Sequence, residues 1–226
     1  MPKRVRVLKS RDIYRGRVIQ LKVDKIIEPG GVKAVREVVH HAGSVVILAH
    51  SRDGRIVLVR QYRYAAGESL WELIAGGMEP GERPLAAARR ELLEETGYRA
   101  AKCQLLFDFF PSPGILTERM FLVEATGLTQ AKAQPDPDEN LEVGHFSLTQ
   151  LRKMIRSKEI RDGKTLVGLM WLILNKSSKI RSVICRWAST PRAAYRGAQR
   201  PGALSRSDHV RLTSPRVKFT PSQHFA

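Results

Sequence analysis

The chain has 226 residues, of which 42% are hydrophobic and 27% are charged, so it is long enough for one packed domain with an extension but short for two full domains. Its net charge of +17 is uneven: residues 175–226 hold eleven Lys and Arg against Asp208, a net of +10, which leaves +7 for residues 1–174. A basic excess can favour nucleic acid or anionic surfaces, but it is equally typical of a solvated tail.

The cysteine and hydropathy patterns exclude several classes of protein. Cys103 and Cys185 have no Cys or His neighbour at ligand spacing, which excludes a zinc site or a disulfide framework and suits a reducing cytosol. The basic residues 1–11 lead into no apolar segment, and the longest apolar run, residues 166–174, is too short to cross a bilayer. We therefore expect a cytoplasmic protein without membrane contact.

Residues 1–42 form a predicted N-terminal β region. Apolar residues from Val18 to Val23 lead into Glu28-Pro29-Gly30-Gly31, and apolar residues resume from Val32 to Val39. A Pro-Gly turn between two such runs predicts an antiparallel hairpin.

Two further β segments are predicted before the first helix. Residues 44–49 and 55–61 flank Ser51-Arg52-Asp53-Gly54, and an Asp-Gly pair tolerates the positive φ of a hairpin turn. Residues 70–74 are expected to form one short strand that stops at Gly76-Gly77, since paired glycines allow a sharp loop.

Residues 84–96 are predicted to form a helix of about four turns. Pro84 suits the first helical position, Leu85, Ala88 and Leu92 recur at helical spacing, and Gly97 suits the position just past the helix end.

The remaining elements complete a domain predicted over residues 43–175. They are strands at 103–110 and 120–125 around the loop Pro111-Ser112-Pro113-Gly114, a strand at 141–146, a helix capped by Ser147 and Gln150 that runs through Ser157, and a buried helix at 165–174. Mixed strands with few helices indicate an α+β layered domain. After residue 176 the periodicity fades into Ser, Pro, Arg and Gly, so residues 176–226 are expected to be a basic tail with little stable structure.

Glu91, Glu94 and Glu95 stand three and four positions apart and should share one face of the predicted helix. Their mutual repulsion, increased by the negative end of the helix dipole, requires a compensating cation. Oxygen ligands select Mg²⁺ or Mn²⁺, and Mg²⁺ commonly joins carboxylates to substrate phosphates. Arg90 can orient Glu94 through a planar pair of hydrogen bonds. On its own, such a string more often forms an exposed, salt-bridged helix.

The surrounding residues resemble a known motif. Gly76, Glu82 and the run from Arg90 to Tyr98 match every fixed position of the Nudix box, and a chance match of seven fixed positions in such a chain is expected on the order of once in a million. The segments 59–64, 71–76 and 110–114, together with Glu118, are similar to the ADP-ribose pyrophosphatase branch of that family, and the resemblance covers roughly residues 10–175.

This resemblance implies a Nudix α/β/α sandwich with a mixed sheet, in which the N-terminal β region contributes to a homodimer and to substrate contacts. It implies hydrolysis of ADP-ribose to AMP and ribose 5-phosphate with Mg²⁺, or with Mn²⁺. The implied metal ligands are the Ala75 carbonyl, Glu91 and Glu95, with Glu94 assisting. The implied catalytic residues are Glu118 as base or water-orienting group, Glu94 and Arg90. The implied substrate contacts are Arg63, Arg60, Glu72 and Gly114.

Several residues need an interpretation of their own. Arg83 stands where a capping residue would help and Ile74 where relatives commonly have proline, but neither change removes a ligand, so we expect an active enzyme.

Adjacent histidines in a strand face opposite sides, so His40 and His41 cannot both line one metal site and are expected at a dimer surface or near substrate. Trp71 and Tyr62 are expected to be core or interface aromatics. 

Other functions remain open at this point. Other nucleoside diphosphate sugars, dinucleotides or oxidised nucleotides could be the substrate. The tail aromatics Trp187, Tyr195 and Phe219 interleave with basic residues, so an RNA-associated Nudix protein tethered by its tail is an alternative, although a non-specific extension is favoured. A silent binding module is disfavoured by the intact Glu91, Glu94 and Glu95.

Removal of residues 177–226 tests the role of the tail. We expect unchanged turnover of small nucleotides, and no retention of RNA by either form in a filter-binding titration across salt concentrations, because a solvated basic extension gives only weak, salt-sensitive attraction. Strong RNA retention by the full chain that is lost on truncation would support the tether instead.

Overall fold

The computed structural model describes residues 4–131 and 141–176. The predicted tail lies outside these ranges apart from Lys176, which ends the last helix. In the described ranges, the strands are β1 Arg6–Arg15, β2 Gln20–Ile27, β3 Lys33–His40, β4 Ser44–Ala49, β5 Ile56–Arg63, β6 Glu68–Glu72, β7 Ile74–Gly77, β8 Tyr98–Phe109, β9 Met120–Gln130 and β10 Glu142–Phe146. The helices are α1 Pro84–Thr96, α2 Leu148–Arg156 and α3 Gly163–Lys176.

The N-terminal strands form a three-stranded antiparallel sheet in the order β1-β2-β3. The predicted hairpin of β2 and β3 is confirmed, with Gln20 opposite His40 and Ile27 opposite Lys33. Strand β1 was not predicted. All ten of its residues are exposed, and a strand that buries neither face has no reason to alternate apolar and polar side chains.

The second predicted hairpin is wrong. Its turn exists, since the Gly54 N–H donates to the Ser51 carbonyl at 2.9 Å. The arms nevertheless enter different sheets: β4 lies in the sheet β7-β4-β9-β8, and β5 lies in the sheet β10-β5-β6. Strand β4 is buried along its whole length and pairs with β7 on one edge and β9 on the other, so no edge is left for β5.

The predicted strand at residues 70–74 is divided between two sheets. Strand β6 pairs with β5, and β7 pairs with β4. The chain changes sheets at Leu73, which is fully buried and donates its N–H to the Thr165 hydroxyl at 2.8 Å. A contact with a residue of α3 therefore fixes the point at which the strand breaks.

The central four-stranded sheet lies between helices, as expected for an α/β/α sandwich. On one face of β4, Val45 and Ile47 pack in a cluster with Leu92 of α1. On the other face, Val46 and Leu48 pack in a cluster with residues of α2 and α3. Successive side chains of a strand point to opposite faces, so one continuous apolar run serves both layers. None of the helices in the described ranges has the length and apolar character needed to cross a bilayer.

The ends of the helices follow the local sequence. Gly97 ends α1 with a left-handed backbone at φ 70° and donates its N–H to the Leu93 carbonyl. Arg83 precedes α1 without a side-chain cap, as its type predicts. Ser147 and Gln150 form the predicted capping box at the start of α2. Local sequence therefore set the end of α1 and the start of α2.

The N-terminal sheet is joined to the loop before β9. The Val39 N–H donates to the Ile115 carbonyl at 2.8 Å, and the Thr117 N–H donates to the Val39 carbonyl at 2.9 Å. The end of β3 therefore lies beside the loop that contains Glu118.

Truncation of Leu169 in α3 tests the packing of this layer. Leu169→Ala removes a fully buried side chain and is expected to lower the free energy of unfolding by about 2–5 kcal/mol, because a cavity remains in the core. The control is Met170→Ala. Met170 is 52% exposed, so its truncation should lower the free energy of unfolding by about 0.5 kcal/mol or less. Denaturant unfolding measures both; equal losses would contradict the assigned burial of Leu169.

Candidate active site

A cleft of about 500 Å³ opens where three strands of the central sheet meet α1. Ser44, the first residue of β4, pairs with Gly77 of β7 on one side and Met120 of β9 on the other, and all three line the cleft. The strand ends therefore form one part of its wall, and side chains from α1 form another.

The structure places Glu91, Glu94 and Glu95 on the wall of this cleft. They come from the last turns of α1, where their spacing gives them a common side of the helix. Glu95 is buried, whereas Glu94 is partly exposed. The three acids that the sequence singles out are thus brought into one cavity.

Gly76 determines where Glu91 lies. A Cβ atom at Gly76 would overlap the Glu91 carboxylate, so that carboxylate is seated directly against the backbone of β7. Ala75, the preceding residue, also lines the cleft. A side chain at position 76 would move Glu91 away from the Ala75 peptide.

Arg90 joins the acids of α1 to the loop that precedes the helix. Its Nη1 donates to Glu91 at 2.7 Å and to Glu94 at 3.0 Å. The two-point bond expected with Glu94 is instead made with Glu82, through Nε at 3.2 Å and Nη2 at 2.9 Å, because Glu82 approaches the flat edge of the guanidinium from the loop. These hydrogen bonds, with Glu82 first, raise the pKa of Arg90.

The chemistry of the cleft fits a hard divalent cation. The candidate donors are the Glu91, Glu94 and Glu95 carboxylates and the Ala75 carbonyl, which are the oxygen ligands that Mg²⁺ and Mn²⁺ prefer. In residues 4–131 and 141–176, no three His, Cys, Asp or Glu side chains converge closely enough to hold an ion as they stand. Two of the candidate carboxylates, those of Glu91 and Glu94, form ion pairs with Arg90 in this arrangement.

Glu118 lies in the same cleft and is not a freely solvated loop acid. Its side chain is 12% exposed. The Ser44 hydroxyl donates to Oε1 of Glu118 at 2.5 Å, and the His41 Nδ1 lies 3.6 Å from that oxygen. The Gly43 N–H donates to His41 Nδ1 at 3.1 Å, so the proton of the neutral ring is on Nε2.

Glu72 lies behind the cleft wall. Glu72 is 1% exposed. Its carboxylate accepts hydrogen bonds from Arg63 Nε at 2.9 Å, from Arg63 Nη2 at 2.7 Å and from Lys164. Arg63 and Lys164 line the cleft, whereas Glu72 does not. The hydrogen bond with Glu72 is the largest cause that raises the pKa of Arg63, and Glu95 is among the further negative charges that raise it.

Of the four expected substrate contacts, Arg63 lines this cleft, whereas Glu72, Arg60 and Gly114 do not. Arg60 is exposed and lies 3.7 Å from Glu142 of β10, and Gly114 lies in the loop before Glu118. Trp71 packs edge-on against Phe146 at 4.9 Å, as a core aromatic should. Tyr62 is exposed, so the expected core position is wrong for this residue, and the alternative expectation of an interface position stays a prediction.

The sequence did not predict three polar residues that line the cleft: Arg17, Ser44 and Lys164. A fourth, His41, was expected at a dimer surface or near substrate, without a role in the site. His41 had only its separation from His40 as a signal, and in the structure His41 alone of the two lines this cleft. Lys164 stands 92 positions from its partner Glu72. Only the pairing of strands and the docking of α3 bring these residues together.

The Glu82–Arg90 pair predicts a change of stability with pH. Arg90 is the first cause that lowers the pKa of Glu82 from its ordinary 4.5. A carboxylate with a lowered pKa in the folded state stabilises the fold above pH 4.5, and this contribution is lost as the pH falls through the lowered value. Wild type should therefore lose more of its melting temperature between pH 6 and pH 3 than Glu82→Gln, on the order of a few degrees.

The matched control is Glu79→Gln, which removes an exposed carboxylate from the same loop. It should show the same pH dependence as wild type. Parallel melting curves for wild type and Glu82→Gln over this interval would contradict the assigned pair.

Comparisons with known proteins identify the family of this chain. The family model of the NUDIX domain matches residues 40–166, more than half of the 226 residues. The chain is 36% identical over 174 residues to "ADP-ribose pyrophosphatase" of Bacillus subtilis (strain 168), covering 76% of this chain and 94% of the relative. It is also 36% identical over 176 residues to "Methanol dehydrogenase activator" of Bacillus methanolicus, covering 77% and 95%.

A solved structure described as "Crystal structure of ADP compounds hydrolase" superposes with a TM-score of 0.67 at 19% identity, over 84% of this chain and 99% of that one. At this identity the superposition shows a shared fold. The family match and the curated relatives show more: the chain belongs to the Nudix family and is a pyrophosphohydrolase related to ADP-ribose pyrophosphatases.

Proposed function

We propose that this enzyme hydrolyses the diphosphate bond of a nucleoside diphosphate derivative, with ADP-ribose as substrate and AMP and ribose 5-phosphate as products. One observation carries the proposal: Glu91, Glu94, Glu95 and Glu118 line a single cleft together with the cations Arg63 and Lys164. Acids that can hold a divalent cation and cations that can face phosphate are the two requirements of phosphoanhydride hydrolysis.

In this proposal Glu91, Glu95 and the Ala75 carbonyl hold Mg²⁺ or Mn²⁺, with Glu94 assisting. The contact between Gly76 and Glu91 supports this assignment, because it keeps a carboxylate beside the Ala75 peptide. A bound divalent ion neutralises phosphoryl charge and lowers the pKa of water. Arg90 orients Glu91 and Glu94 and keeps the loop at Glu82 against α1.

Glu118 is the proposed base. The oxygen of a water molecule attacks one phosphorus, the bond from that phosphorus to the bridging oxygen breaks, and the leaving phosphate monoester takes the bridging oxygen and its electron pair. The proton lost by the water goes to the Glu118 carboxylate. Ser44 supports this role, because its hydrogen bond holds one oxygen of Glu118 while the residue lines the cleft.

The N-terminal β region is proposed to contribute to substrate binding and to a homodimer. Arg17 and Val18, in the turn between β1 and β2, line the cleft. The sheet exposes several large apolar side chains and buries only Ile26 among the apolar residues of its three strands: the exposed ones include Val7, Leu8, Ile13, Tyr14 and Val35. Apolar surface of this extent is expected to be covered by a second copy of the chain. We infer a cytoplasmic setting from the cysteine pattern, which suits a reducing compartment.

Replacement of Glu95 tests the metal site. Glu95→Gln keeps the size of the side chain and removes one ligand charge, so we expect kcat to fall by about 100-fold or more at saturating Mg²⁺. Glu79→Gln removes an exposed acid of the same motif and should leave kcat near that of wild type. Unaltered AMP release by Glu95→Gln would make the active-site assignment wrong.

A substrate panel tests the activity itself. ADP-ribose, an ADP-hexose, a GDP-hexose, a dinucleotide and an oxidised nucleoside triphosphate are incubated with Mg²⁺ in ¹⁸O-labelled water, and the products are separated. ADP-ribose is expected to give the highest kcat/KM, with label in one of the two monophosphate products. A higher value for another substrate would move the proposal to that nucleotide, and turnover that persists in chelator would contradict the metal requirement.

A further inference from the structure

We propose that Lys164 binds a non-bridging phosphoryl oxygen of the diphosphate, so that Arg63 and Lys164 form a cationic wall of the cleft. The proposal rests on the proposed function and deepens it by one binding residue. Lys164 is the second residue of α3, far in sequence from the motif that carries the acids.

Lys164 is both well covered and in contact with the cleft. Its side chain is 11% exposed, and it lines the cavity. The ammonium contacts Glu72 and lies 3.0 Å from Oδ1 of Asp162. A lysine ammonium has three donor protons, so two acceptors leave one proton for a ligand.

The acids that hold the cationic wall do not line the cleft themselves. The Glu72 carboxylate is occupied by Arg63 and Lys164. Asp162 accepts hydrogen bonds from the Thr165 N–H at 2.9 Å and the Thr165 hydroxyl at 2.6 Å, which tie it to the start of α3. The positive charges of Arg63 and Lys164 equal the negative charges of the two acids. The cations line the cavity, however, and the acids do not.

Neutralisation of Glu72 alone does not require Lys164. Arg63 already donates to both oxygens of that carboxylate in a two-point pair. Asp162 balances the charge of Lys164, but both acids lie behind the wall, so the remaining donor of Lys164 is available to an anion in the cleft. A diphosphate fits this arrangement. The carboxylates of α1 line the same cleft and repel phosphoryl oxygens, so a diphosphate needs a cation on another part of the wall.

The test compares Lys164→Met and Lys164→Arg with wild type in steady-state kinetics. A charge-assisted hydrogen bond present in both the bound substrate and the transition state should appear mainly in KM. For Lys164→Met we expect a KM about 10- to 100-fold higher, with kcat changed much less. Lys164→Arg keeps the charge and should recover most of the affinity. Lys153→Met, an exposed lysine of α2, is the control for loss of one positive charge.

A binding measurement separates this proposal from the proposed activity. Titration calorimetry with α,β-methylene ADP and Mg²⁺ needs no turnover, and Lys164→Met should bind this probe about tenfold more weakly or worse than wild type. Lys164→Gln, which can still hydrogen-bond Glu72 and Asp162, repeats the measurement if the methionine variant does not fold. Equal affinity of the folded variant and wild type, or no binding by wild type, overturns the proposal. A wild type that binds the probe but hydrolyses none of the panel contradicts only the proposed activity.

Discussion

The site depends on the contact between the Glu91 carboxylate and the backbone at Gly76. The apolar face of α1, including Leu92, packs against Val45 and Ile47 and holds the helix on the sheet. The missing side chain at Gly76 then leaves room for the Glu91 carboxylate against β7, which pairs with β4 at the centre of the sheet. Apolar packing therefore places the acidic helix, and a glycine of β7 lets one of its carboxylates form part of the cavity wall.

Two reciprocal networks hold the charges of that cavity. In one, Arg90 bonds to Glu82, Glu91 and Glu94. In the other, Glu72 bonds to both Arg63 and Lys164, and Asp162 also contacts Lys164. Buried or half-buried ion pairs contribute little net stability, because desolvation offsets much of their attraction. Their value lies in geometry: each network fixes the direction of several side chains at once. The acids that could hold a divalent ion and the cations that could face phosphate are thereby kept on separate parts of one cleft.

Features set by neighbouring residues were predictable. Pro84 and Gly97 mark the ends of α1, Ser147 and Gln150 form the cap of α2, and the Pro-Gly turn joins β2 to β3. Each depends on backbone preferences or on a hydrogen bond within a few positions, so the local sequence contains the necessary information. The spacing of Glu91, Glu94 and Glu95 belongs to the same class, because helical geometry alone gives them a common side.

Features set by distant partners were not predictable. An Asp-Gly turn at residues 53–54 indicates a reversal of the chain, but only the sheet partners of β4 decide that β5 enters another sheet. The division of β6 from β7 follows from a hydrogen bond with Thr165, and Glu118 is held by Ser44 across 74 positions. The sequence by itself determined the acidic helix, the glycine loop before it and the family to which they belong. Tertiary structure alone decided which cations, hydroxyls and loop acids meet them, because those contacts join segments whose separation in sequence carries no local signal.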